Sequence, residues 1–128
     1  MNQTKEERIE TINKIVNKIA TTGRNFFSYN GVADKFVLKS DKVYIADAYS
    51  GNEICVETKN GYPPKGFHMG GTMWGLTKDF LQFIHEGGDT NHNHGYGGLY
   101  CPHWGYPESA MIEIQVLAEE LGYLKSKP

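Results

Sequence analysis

The sequence predicts an α+β fold: an N-terminal helix, an antiparallel meander of three or four strands, and two C-terminal helices joined by a long loop. Two observations lead to this prediction. Apolar residues recur at helical spacing toward both ends of the chain, and they alternate with other residues in a middle stretch that turn dipeptides divide. With 128 residues, the chain (1–128) has room for one hydrophobic core, so we expect a single domain.

The first helix is expected over residues 4–22. Thr4 and Glu7 form the Thr-x-x-Glu pattern of a capping box, which is typical of a helix start. Gly23 suits the position just past a helix end. The apolar residues that recur at helical spacing, and so predict one buried face, are Ile9, Ile12, Ile15, Val16 and Ile19.

The middle of the chain changes to a period of two. Residues 26–29 run into Asn30-Gly31, a dipeptide that favours a hairpin turn because both residues tolerate positive φ. Ser40-Asp41 and Ser50-Gly51-Asn52 separate the later strands, and Pro63-Pro64 ends the meander. The alternating segments that predict these later strands are 36–38, 43–46 and 54–57.

Two helical patterns follow the meander. The second helix is expected to begin with Thr72 as its N-cap and to end at Gly87-Gly88. Pro107 suits the first position of the third helix, which Gly122 closes. The predicted buried positions are Met73, Leu76, Phe80, Phe83 and Ile84 in the second helix, and Ala110, Met111, Ile114, Leu117, Ala118 and Leu121 in the third.

Composition excludes several classes of function. The net charge of −2 argues against binding to polymeric nucleic acid, which needs a basic face. No apolar run is long enough to cross a bilayer, so we expect no membrane partner and a cytoplasmic location. Cys55 and Cys101 are too few for a disulfide framework.

The loop 87–107 between the last two helices is rich in glycine, histidine and aromatic residues. A segment of this length without a helix or strand pattern is more often a binding loop than a passive connection. Its nitrogen and sulfur ligands would suit tetrahedral zinc, although histidines also collect in glycine-rich loops for turn and hydrogen-bond reasons. We expect no cofactor and keep zinc as the alternative, with the ligands His92, His94, Cys101 and His103.

Aromatic and amide side chains predict a nucleotide pocket around the same loop. The rings that could stack on a purine are those of Tyr96, Tyr100, Trp104 and Tyr106, and Asn91 and Asn93 could read its edges. Trp74 lies one residue, about 100°, off the apolar stripe of the second helix. We therefore expect Trp74 to face solvent, a partner subunit or a ligand rather than the core. The alternative is that about half of these aromatic rings roof the core.

Two further segments are candidate anion sites. Residues 65–72 lead into a helix N-terminus, where free N–H groups and the helix dipole favour a phosphate; the residues singled out are His68, Gly70, Gly71 and Thr72. The alternative there is a capped helix start with glycines for a tight turn. Arg24, followed closely by Phe27, suits bidentate contact with a phosphate, or simply a charge at the end of the first helix.

Four short strings carry a family resemblance over most of the chain: Thr22-Gly23-Arg24-Asn25-Phe26-Phe27, Asp47-Ala48-Tyr49-Ser50, Gly66-Phe67-His68-Met69-Gly70-Gly71-Thr72 and Trp104-Gly105-Tyr106. In these the chain resembles small phage proteins of the anti-Thoeris type, which sequester cyclic ADP-ribose signalling nucleotides. The resemblance implies a homo-oligomer with ligand pockets between subunits, acting in the host cytoplasm. It also implies that the nucleotide is bound without being cleaved.

The residues offer no convincing nucleophile or acid–base pair, so we predict a phage anti-defence protein that sequesters a cyclic nucleotide and is not an enzyme. One alternative is a zinc-dependent hydrolase or nuclease that uses the four loop ligands, and another is an inhibitor that blocks a protein through the loop. The predicted ligand contacts are Arg24, Phe27, His68, Gly70, Gly71, Thr72, Trp74, Asn91, Asn93, Tyr100, His103 and Trp104.

Overall fold

The computed structural model describes residues 4–22, 26–87, 99 and 106–124. Over these residues the fold is α+β, as predicted, with antiparallel strands between an N-terminal helix and two C-terminal helices. The elements are α1 (Lys5–Thr21), β1 (Ser28–Tyr29), β2 (Val32–Ala33), β3 (Lys35–Lys39), β4 (Lys42–Ala46), β5 (Glu53–Cys55), α2 (Gly70–Glu86) and α3 (Glu108–Glu120).

Helix α1 begins with the predicted capping box. The Thr4 hydroxyl accepts a hydrogen bond from the Glu7 N–H at 3.1 Å, and the Glu7 carboxylate accepts one from the Thr4 N–H at 3.0 Å. Hydrogen bonding of the Glu7 carboxylate with the Thr4 N–H, and secondarily with the Thr4 side chain, lowers the pKa of Glu7. All five predicted apolar positions of α1 are buried, and α1 contacts β2, β3, α2 and α3. The helix therefore lies at the centre of the fold.

The strands form two small antiparallel sheets rather than one meander. β1 and β2 pair through the predicted turn, in which Asn30 and Gly31 adopt φ values of 52° and 82°. The other sheet has the order β3-β4-β5. Its first hairpin turns at Ser40 and Asp41, which also adopt positive φ. Both are two-residue connections with positive φ at each residue, the geometry that matches strand twist.

Aromatic rings fill the core between α1, α2 and the sheets. Phe80 of α2 contacts Phe36 of β3 edge to face at 5.7 Å between ring centroids, and it contacts Phe27 at 6.4 Å. Tyr123, just after α3, packs on Phe80 and Phe83 at 5.3 and 5.2 Å. The segment that follows α3 therefore closes the same core.

The predicted starts of α2 and α3 need correction. Thr72 is not an N-cap: α2 starts at Gly70, its N-cap is Met69, and no side chain caps it. An N-cap needs a non-helical backbone, but Thr72 already lies inside the first turn. The backbone turns into the helix at Gly70, whose φ of 85° is a conformation that glycine adopts readily. Pro107 is the N-cap of α3, one residue before its predicted position.

Candidate functional site

A broad cleft of about 1350 Å³ opens beside the three-stranded sheet. Its walls come from three stretches of chain: the β2–β3 junction, the connection from β4 to β5, and the segment that leads toward α2. The lining residues lie within 32–35, 46–55 and 64–68. The cleft is thus built mainly from loops held on short strands, as is common for binding sites.

The loop between β4 and β5 is held by its own hydrogen bonds. The Asp47 N–H donates to the Asn52 carbonyl at 2.9 Å, and the Gly51 N–H donates to the Asp47 carbonyl at 2.8 Å. The Asp47 carboxylate accepts a hydrogen bond from the Ser50 N–H, three residues on, at 3.1 Å, and aspartate often makes such local bonds to the backbone in turns. From outside the loop, Asp34 accepts a hydrogen bond from the Ala48 N–H at 2.8 Å. This wall of the cleft is therefore preorganised.

Asp47 also anchors His68 in the opposite wall. The His68 Nε2 lies 3.0 Å from the Asp47 Oδ1. The Asp47 side chain is 2% exposed, whereas that of His68 is 42% exposed. Burial alone would raise the pKa of Asp47, but the hydrogen bonds from His68 and Ser50 outweigh it and hold the pKa below its usual value. The buried carboxylate thus orients an imidazole that remains open to the cleft.

A second carboxyl, that of Asp34, lies behind the loop. Burial raises its pKa, the negative charge of Asp47 raises it further, and the hydrogen bond from the Ala48 N–H opposes both effects. Electrostatic attraction to His68 also lowers it. The two buried aspartates therefore act on the loop and on His68 together.

The rings of Tyr49 and His68 line the cleft, and the Tyr29 ring packs against Tyr49. Tyr49, at the tip of the β4–β5 loop, is 62% exposed. The Tyr29 ring of β1 stands edge to face against it, at 5.0 Å between centroids and 87° between planes. The His68 ring lies 5.1 Å from Tyr49 on a tilt of 51°. We call Tyr29, Tyr49 and His68 the aromatic rim.

Two lysines supply positive charge to the cleft. Lys35 and Lys65 are among its lining residues. Neither makes an ion pair within the part of the chain that the structure describes. By contrast, the lining carboxylate of Glu53 is held by Lys39 at 2.5 Å. The cleft thus offers ammonium groups to an anionic ligand.

The structure brings only part of the predicted site to this cleft. His68 lines it, but Gly70, Gly71 and Thr72 lie in the first turn of α2, outside the lining. Phe27 is fully buried, and its ring contacts core residues rather than the cleft. Whether these four residues contact a ligand stays a prediction.

The predicted orientation of Trp74 is wrong. Trp74 is only 5% exposed and belongs to the core. Its indole Nε1 donates to the Gly61 carbonyl at 3.0 Å, and its ring meets Phe67 edge to face at 5.2 Å. The segment after β5 folds over this side of α2 and buries a position that lies off the main apolar stripe. Helical periodicity predicts the face that packs on the main core, but it does not predict that another segment covers a second face of the helix.

The remaining predicted ligand contacts lie outside the described residues. They are Arg24, Asn91, Asn93, Tyr100, His103 and Trp104, and the zinc alternative adds His92, His94 and Cys101. Within the described ranges, no group of three histidine, cysteine or carboxylate side chains could hold a metal ion. The zinc alternative rests on the remainder of the chain and stays a prediction.

Sequence reasoning did not select Asp34, Asp47, Tyr29 or Tyr49 as site residues. A usable signal existed for Asp47, because an aspartate shortly before Ser50 and Gly51, directly after an alternating strand, is typical of a turn in which the carboxylate bonds a nearby backbone N–H. No local pattern links this turn to His68, since 21 positions separate the two residues.

The fold is that of a small α+β protein with an open cleft beside its three-stranded sheet. The chain belongs to the YoqU family, whose family model matches residues 2–127. It is 26% identical over 126 residues to the SPbeta prophage-derived uncharacterized protein YoqU of Bacillus subtilis (strain 168), covering 98% of this chain and 88% of the relative.

No solved structure matches the chain. None of the helices in the described ranges has the length and apolar character needed to span a membrane. The prophage origin of the relative agrees with the phage connection that the sequence suggested. The finer resemblance, to proteins that sequester cyclic ADP-ribose, stays a prediction.

Proposed function

We propose that this protein binds a cyclic nucleotide of the cyclic ADP-ribose type in the cleft and holds it without cleaving it. In this role it would serve a phage by removing an immune signal from the host cytoplasm. One observation carries the proposal: exposed rings lie around a preorganised loop, together with two lysines that make no ion pair within the described residues. A nucleotide has the complementary parts, an aromatic base and anionic phosphates.

The chemistry of the cleft supports binding more than turnover. Asp47 uses one oxygen for His68 and the other for the Ser50 N–H, so its role is to fix the two walls. No serine, threonine or cysteine side chain in the described ranges makes a hydrogen bond with His68. An activated nucleophile would need such a bond to its base.

The open mouth of the cleft supports a homo-oligomer. Held in one subunit, a nucleotide would keep much of its surface in water, whereas small-molecule sites usually bury most of the ligand. Val32 lines the cleft and is 60% exposed, so the mouth also has apolar surface for a second copy. Two subunits that meet there would enclose the ligand between them.

The test is a binding-and-release assay. Purified protein is incubated with cyclic ADP-ribose isomers and filtered, then heated to denature it, and the released compounds are identified. Depletion of the free ligand with recovery of intact cyclic nucleotide supports the proposal. Recovery of a cleaved product would make the protein an enzyme, and no depletion of any cyclic nucleotide would overturn binding.

Matched variants locate the site in the same assay. Lys65→Ala and Lys35→Ala are expected to weaken depletion, because each removes an ammonium group from the cleft. Lys14→Ala is the control, since Lys14 is exposed on α1 and is not among the cleft-lining residues. If all three variants deplete the free nucleotide equally, the binding site lies outside this cleft.

One observation favours the alternative of a protein-blocking inhibitor. Ile112 and Val116, four positions apart on α3, are 50% and 45% exposed. Residues at this spacing share one helix face, and exposed apolar side chains can anchor a partner. The zinc alternative is tested separately by metal analysis of purified protein, where less than about a tenth of an equivalent would exclude it.

A further inference from the structure

We infer that the aromatic rim is the nucleobase subsite of the cleft, with the base stacked on the exposed ring of Tyr49. This inference rests on the proposed function and names the part of the ligand that these side chains contact. It moves base recognition from the loop 87–107, where the sequence suggested it, to the connection between β4 and β5.

The first argument is the exposure of Tyr49 on a rigid support. A ring that is 62% exposed at a loop tip adds little to the core. The loop beneath it is nevertheless held on both sides, by the Ala48 N–H bond to Asp34 and by the Ser50 N–H bond to Asp47. A rigidly held exposed ring loses little conformational freedom when a ligand stacks on it.

The second argument is the arrangement of the neighbouring rings. Tyr29 and His68 each contact Tyr49, at 5.0 and 5.1 Å between ring centroids, so the Tyr49 ring is supported while much of its surface stays open. Tyr29 is itself 48% exposed. Because Tyr29 and His68 meet Tyr49 at interplanar angles of 87° and 51°, they brace its ring from the side, and the base stacks on the part of Tyr49 that stays exposed.

The third argument is charge. The phosphates joined to a stacked base need cations close by, and Lys35 and Lys65 line the same cleft. The buried aspartates behind the rim are already engaged in hydrogen bonds to the loop and to His68. Exposed rings beside ammonium groups that have no ion pair in the described part of the chain fit a nucleotide better than a sugar phosphate that has no base.

The experiment measures binding by calorimetry with two probes, cyclic ADP-ribose and ribose 5-phosphate. Tyr49→Ala is expected to weaken the binding of cyclic ADP-ribose about ten-fold or more, because one stacked base is lost. The affinity for ribose 5-phosphate, which has no base, is expected to stay unchanged. Tyr49→Phe keeps the ring and is expected to stay within about two-fold of the unmodified protein. Tyr62→Ala is the matched control, because Tyr62 is 70% exposed and does not line the cleft.

Each outcome decides between the inference and the proposed function. If the protein binds cyclic ADP-ribose and Tyr49→Ala binds it equally well, the stacking subsite is wrong while the proposed function stands. A Phe variant as weak as the Ala variant, or a Tyr62→Ala variant as weak as Tyr49→Ala, also overturns stacking on Tyr49. If the unmodified protein binds no nucleotide, the proposed function fails and the subsite fails with it.

Discussion

The side-chain amide of Asn13 exchanges two hydrogen bonds with the backbone of Phe36. Its Nδ2 donates to the Phe36 carbonyl at 2.9 Å, and its Oδ1 accepts from the Phe36 N–H at 2.7 Å. β3 is an edge strand of the three-stranded sheet, so the amide occupies a place that a neighbouring strand would otherwise fill. This contact joins α1 to the sheet that supports the cleft.

Asn13→Ala is expected to lower the free energy of unfolding by about 2 kcal/mol, because two hydrogen bonds of about 1 kcal/mol each are lost. Asn13→Asp should also destabilise, since a carboxylate cannot donate to the Phe36 carbonyl. Urea unfolding followed by circular dichroism measures both. Asn17→Ala, an exposed position on the same helix, is the control. Equal stabilities of Asn13→Ala and Asn17→Ala would contradict the role of the amide.

Asp34→Asn is expected to stabilise the protein at pH 7. Burial raises the pKa of Asp34 above its ordinary 3.8, so the folded state disfavours the charged carboxylate. This destabilisation is fully present above the raised folded pKa and disappears as the pH falls below 3.8, where both states are protonated. The asparagine keeps an oxygen that accepts the Ala48 N–H.

The measurement for Asp34→Asn is the melting temperature at pH 7 and at pH 3. The melting temperature of Asp34→Asn should exceed that of the unmodified protein at pH 7, and this difference should shrink toward zero at pH 3. Asp41→Asn is the control, because the ion pair with Lys5 lowers the pKa of that exposed carboxyl and no stabilisation is expected. A melting temperature of Asp34→Asn below that of the unmodified protein at pH 7 would refute this prediction.

Tyr123→Phe is expected to be neutral or stabilising at pH 7, by up to about 1 kcal/mol. The Tyr123 ring packs on Phe80 and Phe83, but within the described residues its hydroxyl has no hydrogen-bond partner. Removing a buried hydroxyl that is not hydrogen-bonded keeps the packing and ends a desolvation penalty. Thermal unfolding measures the effect, and a loss of more than about 1 kcal/mol would reveal a bond to the hydroxyl.

The stability of Tyr123→Phe is also expected to differ from that of the unmodified protein at alkaline pH. Burial, and secondarily the negative charge of Asp79, raise the pKa of Tyr123 well above 10.0. The unfolded state ionises first, so the contribution of the neutral phenol is fully present below pH 10 and is lost as the pH rises toward the folded pKa. Stability of Tyr123→Phe should therefore fall less steeply above pH 10 than that of the unmodified protein, whereas Tyr62→Phe should follow the unmodified protein.

The elements that the sequence predicts best are those whose hydrogen bonds and backbone angles involve only neighbouring residues. The Thr4–Glu7 capping box and the Asn30-Gly31 turn form as expected because all their hydrogen-bonding and φ requirements lie within four positions. The start of α2 differs from the predicted one at Thr72 because Gly70, with positive φ, begins the helix without a side-chain cap. Backbone freedom at a glycine leaves no pattern that distinguishes the two starts.

The candidate site was less predictable than the fold. His68 was selected from its place before a helix, but its partner Asp47 lies 21 positions away. The Tyr29–Tyr49 contact likewise joins β1 to a loop of the other sheet. Such pairs depend on how the two sheets meet, and local spacing carries no information about that.

By itself, the sequence determined the α+β class, the apolar faces of the helices and the hairpin turns, because these follow from short-range periodicity and local backbone preference. Only the tertiary structure decided that Trp74 lies under the segment after β5, and that Asp47, His68 and Tyr49 share one cleft. Whether a residue is buried, and which side chains it contacts, depends on the distant segments that pack over it. Those segments are set by the packing of the whole chain and not by the residue's neighbours in sequence.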